Sequence, residues 1–234
     1  MGILNSFFDI FGKKYCNLKS KREFLRRKFQ LINERPIEYR FVFKILTEIS
    51  PKKILDVGPG MSSLPHLMSN CGFLVTAIDN IYEYWSRRVF NRHYYIIQDD
   101  ITKTKLKSKF DLITCISVLE HIKNFESAIN NMAKLLNDNG HLITTFPYNE
   151  ENYIDNIYKK EGAGYGQDKK YICQIFSRKE LNNWQDTNNI RIIKQEYWQV
   201  FKGEFWTFGN RITPARKVKK EEKHHLTCIL FQKY

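Results

Sequence analysis

From Lys52 to Phe146 the chain alternates short apolar runs with stretches of helical spacing, a pattern that few folds accept. Lys53–Val57, Leu74–Ile78, Tyr94–Ile97, Phe110–Ile116 and Gly140–Phe146 have the length and composition of strands. Between them Ser62–Asn70, Tyr82–Phe90 and Phe125–Leu136 are helical candidates, and Asn139-Gly140 supplies the turn into the fifth strand. Such alternation implies βαβ units with right-handed crossovers, and hence a parallel sheet.

The flanks differ in texture. "LKSKREFLRRKFQLI" has apolar residues at helical intervals until Pro36 breaks it, and "IEYRFVFKILTEI" makes a second helix ending near Ser50 and Pro51. Residues 1–50 therefore read as a helical extension of a single domain whose body is 51–234, since 234 residues leave little room for two. After Pro147 comes a polar, tyrosine-rich loop over about 148–176. Its Gly162, Gly164 and Gly166 follow no clear strand and precede no clear helix, so they read as flexibility, not as a phosphate cradle. Ser177 and Glu180 then form a capping box. Two last strands, Arg191–Val200 and His225–Gln232, flank a long basic and aromatic connection.

Composition bounds the partners. Lys and Arg number 38 against 25 Asp and Glu, a net +13 that favours phosphorylated metabolites, nucleic acid or an acidic membrane face. The excess crowds Lys13–Lys28, where Glu23 is the one acid, and the run Arg211, Arg216, Lys217, Lys219, Lys220 and Lys223. Each cluster reads equally as a solvated face or a binding surface. Cys16, Cys71, Cys115, Cys173 and Cys228 are scattered and form no CxxC pair, which points to a reducing, cytoplasmic setting and away from disulfides or structural zinc. His224 and His225 are adjacent and make a poor metal pair, so no metal is expected. In "MGILNSFFDIFGKK" the apolar stretch is too short and too broken for a secretory signal, and Gly2 with Ser6 fits a myristoylation pattern permissive enough to arise by chance. Ile3, Leu4, Phe7, Phe8 and Phe11 could share one helical face, packing on the protein or, as peripheral contact through residues 1–12, on a membrane. No run approaches the ~20 apolar residues of a membrane span.

The chemistry starts at "KILDVGPGMSSLP". A glycine turn where a first parallel strand meets a helix lets backbone approach a ligand and offers free N–H groups. Asp56 stands two residues before Gly58, where a buried carboxylate is costly unless a cation such as an ammonium group compensates it. Asp79 ends the second strand in a position suited to ribose hydroxyls. Asp100 follows the third, where it could accept from an exocyclic adenine amine, with Asp99 its near-equal rival. Any one strand-end acid could be a helix cap. Three on one rim describe a ligand with an amine, a ribose and an adenine, and S-adenosylmethionine has all three.

"ILDVGPGMSS", "VTAIDN", "DDIT", "FDLITCISVLEHI" and "LLNDNGHLITTFPY", in this order and spacing, resemble the class I S-adenosylmethionine-dependent methyltransferases. The resemblance runs from about Lys52 to Tyr148, with Ser62 where the family usually has a third glycine. It implies a Rossmann-like, doubly wound, mostly parallel seven-stranded α/β sheet with a terminal antiparallel hairpin, to which the N-terminal helices are added. By position it implies that Asp56, Gly58 and Gly60 hold the methionine end, Asp79 the ribose and Asp100 the adenine. Ile101 would flank the adenine ring, Ser117 would approach through its backbone, and Asn80 belongs to the same cofactor set.

Methyl transfer to oxygen or nitrogen mainly requires positioning, plus a base where the acceptor is a hydroxyl. His121 in "SVLEHI" is the candidate base, with capping or orienting the next helix as its bland alternative, and Tyr148 is a weaker candidate. "TFPYN" resembles the N-P-P-Y signature of nucleic-acid amino-methylating enzymes but follows the fifth strand, where that signature does not belong, so base N-methylation is discounted. "QEYWQVFKGEFWTFG" is similar to methyltransferases of cell-surface glycan synthesis, and its aromatics could stack a sugar or simply pack. The expectation is O-methylation of a small or glycan-linked, anionic acceptor, a phosphorylated one included. The alternatives are an RNA methyltransferase using the basic N-terminal helix and a non-catalytic binding protein that retains the fold. A nicotinamide dehydrogenase is disfavoured, because the third glycine is missing and Asp56 has no role there.

Overall fold

The structure, a computed structural model, describes residues 3–27, 33–86 and 90–234. The chain divides into two compact units, Met1–Asn33 and Glu34–Tyr234. Among its described residues the first holds one helix, α1 (Ile3–Arg26). Phe11, Tyr15, Leu18 and Leu25 on it are exposed, while the side chains of Ile3, Leu4, Phe7 and Phe8 lie outside the described residues. Among the described residues no helix is long and apolar enough to cross a membrane.

The second unit begins with α2 (Arg35–Ile49), which Pro36 opens at a position where its missing N–H costs nothing. Phe41, Val42, Ile45 and Leu46, at helical spacing, are buried on the sheet. β1 (Lys53–Val57), α3 (Leu64–Asn70), β2 (Leu74–Asp79), α4 (Ile81–Tyr84), β3 (Ile97–Gln98) and β4 (Phe110–Ile116) follow. α5 (Phe125–Leu135), β5 (Leu136–Pro147), α6 (Arg178–Asn188), β6 (Ile190–Phe201), β7 (Arg211–Val218) and β8 (Leu226–Lys233) complete it. The sheet order is β3-β2-β1-β4-β5-β8-β6-β7. The first five strands run parallel, and β8, β6 and β7 are antiparallel to their neighbours.

Because side chains alternate across a strand, successive residues such as Ile54 and Leu55 feed two cores, one on each face. Met132 of α5 and Trp184 of α6 lie in one core, and Val42 of α2 and Met68 of α3 in the other. This is the doubly wound arrangement expected. α6 carries the expected capping box, Ser177 with Glu180.

Three expectations are corrected. The sheet has eight strands, not seven, because β7 lies inside the segment read as a connection. It is an edge strand bearing Pro214, Arg216 and Lys217, the residues that blunt edges and also disguise them. The third strand is Ile97–Gln98, shorter than expected, because Asn91 Oδ1 accepts from the backbone of His93 and Tyr94 and turns the chain there. The helix expected over Tyr82–Phe90 is the single turn α4, and residues 87–89 of that stretch lie outside the described residues. Asn139 does turn, at φ 60°, but as an excursion within β5: the register steps from Phe110 opposite Leu136 to Leu112 opposite His141.

Candidate functional site

In the sheet, β1 and β4 are neighbours although β2 and β3 intervene in the chain, so the crevice at their carboxyl ends is the topological switch point. A cavity of about 740 Å³ opens there, a size typical of small-molecule sites. Gly58, Gly60, Asp79, Asn80, Asp100, Ile101, Ser117 and His121, all singled out from the sequence, line it, and so does Asp99.

The glycine turn is built for close approach. Gly58 has φ 70° and Gly60 φ 56°, the left-handed region that side chains disfavour. A Cβ on Gly58 would stand 2.6 Å from Val118 Cγ1, whereas one on Gly60 would meet nothing within 4 Å. Gly58 thus packs the turn and Gly60 leaves open space for a ligand. Gly60 N–H donates to Asp79 Oδ2 at 2.9 Å, tying the turn to the end of β2. Asn91 Nδ2 donates to the Gly60 and Ser62 carbonyls, each at 2.9 Å, and holds the turn from outside.

Asp79 and Asp100 both line the cavity. Burial raises the Asp79 carboxyl, and the hydrogen bond from Gly60 opposes it. Asp100 Oδ1 caps a single 3-10 turn, Ile101–Lys103, through Thr102 N and Oγ1, while Oδ2 has Lys103 at 3.6 Å. Asp99 commits both oxygens to its own loop, through the Asp100 and Lys105 amides and the Thr104 hydroxyl. Geometry therefore favours Asp100 over Asp99 as the outward-facing acid.

Asp56 is the exception, since it does not line this cavity. It is 1% exposed behind the glycine turn, beside a hollow of about 10 Å³ that it shares with Arg35, Tyr39 and Gly58. Thr114 Oγ1 donates to its Oδ1 at 2.6 Å, and Oδ2 has no hydrogen-bond partner among the described residues. Burial pushes its carboxyl up to about 7. Asp56 thus stands behind the glycine turn and is not among the residues that line the cavity.

Ser117, at φ 53°, gives its N–H to the Thr145 carbonyl at 3.0 Å, so the backbone group it has for the cavity is its carbonyl. Its hydroxyl donates to Glu38 of α2, which also accepts from Thr145 Oγ1 at 2.6 Å and pairs with Arg35 Nη1 at 3.0 Å. Glu38 is fully buried under the crevice, and burial raises its carboxyl. Sequence reasoning missed it: an Arg and a Glu three apart on a helix look like a surface pair.

His121 sits in the 3-10 turn Leu119–His121 after β4. Its Nδ1 lies 2.7 Å from the Ile172 carbonyl, which can only accept, so Nδ1 carries the proton and Nε2 the lone pair. Burial lowers its pKa, and the Ile172 bond opposes this, leaving a neutral imidazole at neutral pH. Tyr171 packs edge-on against the ring at 4.6 Å. Glu120 Oε1 is 4.0 Å from Nε2, too far for a hydrogen bond. Tyr148, the weaker candidate base, is buried away from the cavity and donates to Glu150 at 2.9 Å.

A family model described as a methyltransferase domain matches residues 24–195. The chain belongs to that family. The methyltransferase is 27% identical over 188 residues to the ubiquinone biosynthesis O-methyltransferase of Coxiella burnetii, covering 75% of this chain and 78% of the relative. In structure it is similar to TehB from Haemophilus influenzae, with TM-score 0.55 and 18% identity over 83% of this chain and 62% of the other. It also resembles the magnesium protoporphyrin IX methyltransferase ChlM of Synechocystis PCC 6803, with TM-score 0.52 and 12% identity over 97% of this chain and all of the other. The methyltransferase is thus an S-adenosylmethionine-dependent enzyme of Rossmann-like fold, with S-adenosylmethionine as its cofactor.

Proposed function

We propose that this methyltransferase acts on a hydroxyl group of a small or glycan-linked, anionic acceptor, with His121 Nε2 as the proton acceptor. The observation that carries the reading is the fixed tautomer of His121. A carbonyl holds Nδ1–H, which leaves the lone pair on Nε2 of a neutral imidazole, and His121 lines the cavity that the glycine turn and strand-end acids share. The name of the Coxiella relative, an O-methyltransferase of ubiquinone biosynthesis, supports oxygen as the methylated atom.

The cofactor supplies an electrophilic methyl group on a sulfonium centre. Around it the Gly60 turn offers open space at the methionine end, Asp79 and Asn80 bind ribose hydroxyls, and Asp100 Oδ2 accepts from the adenine amine. Ile101, 5% exposed at the cavity wall, packs the purine. Asp56, with its unpartnered Oδ2 behind the turn, favours a positive charge nearby through its field. His121 takes the hydroxyl proton as the oxygen attacks, which typically contributes about 10²–10⁴-fold.

The test is labelled methyl transfer into a cell extract separated into small-molecule, glycan, RNA, lipid and protein fractions. Label in the small-molecule or glycan fraction that resists base hydrolysis supports an ether product. Label confined to RNA overturns the reading.

A further inference from the structure

The cavity is lined by two sets of charges, of which the cofactor reading uses only the acidic one. Asp79, Glu83, Asp99 and Asp100 line it from the β2 and β3 side. Lys123, after β4, and Lys159, Lys169 and Lys170, after β5, also line it. In the strand order β3-β2-β1-β4-β5 the acidic set follows strands on one side of the β1/β4 crevice, and the basic set follows strands on the other. S-adenosylmethionine, with its amine, sulfonium and ribose, matches the acidic side. The basic side is left for the acceptor.

Lys194, Lys217 and Lys220 pair with Glu48, Glu196 and Glu150. Among the described residues no carboxylate lies within ion-pair distance of Lys123, Lys159 or Lys170. Lys169 has Asp168 at 3.2 Å, an exposed neighbour that an incoming anion can displace. Like charges gathered at one mouth repel one another until an anion sits among them.

The loop that carries them is held in place. Asn156 Oδ1 accepts from the Tyr158 and Cys173 amides, both at 3.2 Å, and closes the base of the loop. Gly164 N–H donates to the Thr207 carbonyl at 3.0 Å, and Gln174 N–H to the Glu120 carbonyl at 2.9 Å. Its Ile172 carbonyl is the group that fixes His121.

We propose that Lys159, Lys169 and Lys170, with Lys123, form an oxyanion subsite that holds a phosphate or carboxylate of the acceptor, so that this loop selects anionic substrates. The proposal rests on the methyl-transfer reading of the cavity and names the substrate feature that the cavity reads. An anion held there leaves the neutral part of the acceptor between the loop and His121.

The test is isothermal titration of the full chain saturated with S-adenosylhomocysteine, using phenyl phosphate, benzoate and, as the uncharged control, phenol. At least one anion is expected to bind more tightly than phenol, and its affinity to fall about tenfold in the Lys169→Ala/Lys170→Ala variant, as loss of two partly exposed ion pairs implies. Replacing both by Arg should restore binding. Phenyl phosphate as the tighter probe assigns a phosphate, and benzoate a carboxylate. Equal anion affinity in wild type and variant, or anions no better than phenol, overturns the subsite while leaving methyl transfer in place. Failure of the wild type to bind S-adenosylhomocysteine removes both readings.

Discussion

Asp56 offers the sharpest test of the physics of this site. The Asp56→Asn variant keeps an acceptor for Thr114 Oγ1 and nearly the same volume, but removes a buried charge. In the folded protein the carboxyl titrates at about 7, against 3.8 as its ordinary value. The folded state therefore holds a proton that the unfolded state has released, and stability falls as pH rises between the two values. The whole shift corresponds to about 4 kcal/mol, and the part lost between about pH 5 and about pH 8.5 to about 3 kcal/mol. Glu38, Glu120 and Asp79 are raised by burial as well, so wild type alone cannot isolate the effect. The measurement is urea unfolding of both proteins, without cofactor, across that pH range. Wild type should lose about 3 kcal/mol more than Asp56→Asn, and the variant should be the more stable of the two at the alkaline end. Its affinity for S-adenosylmethionine should nevertheless drop, because the charge that destabilises the empty protein favours the cationic ligand. Parallel stability curves for the two proteins would refute the claim that Asp56 is a buried, cofactor-directed charge.

Further predictions follow the same geometry. Asp79→Ala removes the acceptors proposed for the ribose and should weaken S-adenosylmethionine binding by at least 100-fold in titration calorimetry, about 3 kcal/mol for charged hydrogen bonds, and unchanged affinity would contradict that proposal. His121→Gln should lower kcat about 10²–10⁴-fold with cofactor affinity retained. In the wild type kcat should fall on the acid side of a pKa below 6.5 and stay level above it, a limb the variant lacks. Gly58→Ala forces φ 70° on a side chain and drives its Cβ into Val118. It should cost about 1–3 kcal/mol in unfolding experiments and lower cofactor affinity, whereas Gly60→Ala should spare stability more and binding less. Glu38→Ala removes a buried carboxylate that accepts from Ser117, Thr145 and Arg35, and should cost about 1–3 kcal/mol, read as a fall in the thermal midpoint.

Much of the fold was legible because its signals are local. The period of apolar residues distinguishes β1 from α3, and glycines with positive φ mark the turn between them. The strand-end acids were legible too, since a parallel sheet necessarily sets successive strand ends on one rim. Where the reading failed, the deciding contact was distant in sequence. β7 is a strand because β6 offers it an edge, and Pro214 with its basic neighbours gives no local sign of that. Asn91 holds the glycine turn from 31 positions away, and nothing in "NRHYY" announces it.

The sequence by itself determined the alternating architecture, the glycine turn and the rim of carboxylates, because each is written in residues close together along the chain. Only the tertiary structure decided which of them touch the cavity. It put Asp56 behind the turn, drew Glu38 beneath Ser117, pinned the His121 proton on the Ile172 carbonyl and brought four lysines to the cavity that the acids line. Burial and pairing are properties of packed neighbours, and the charge state and reach of a side chain depend on those neighbours more than on its own identity.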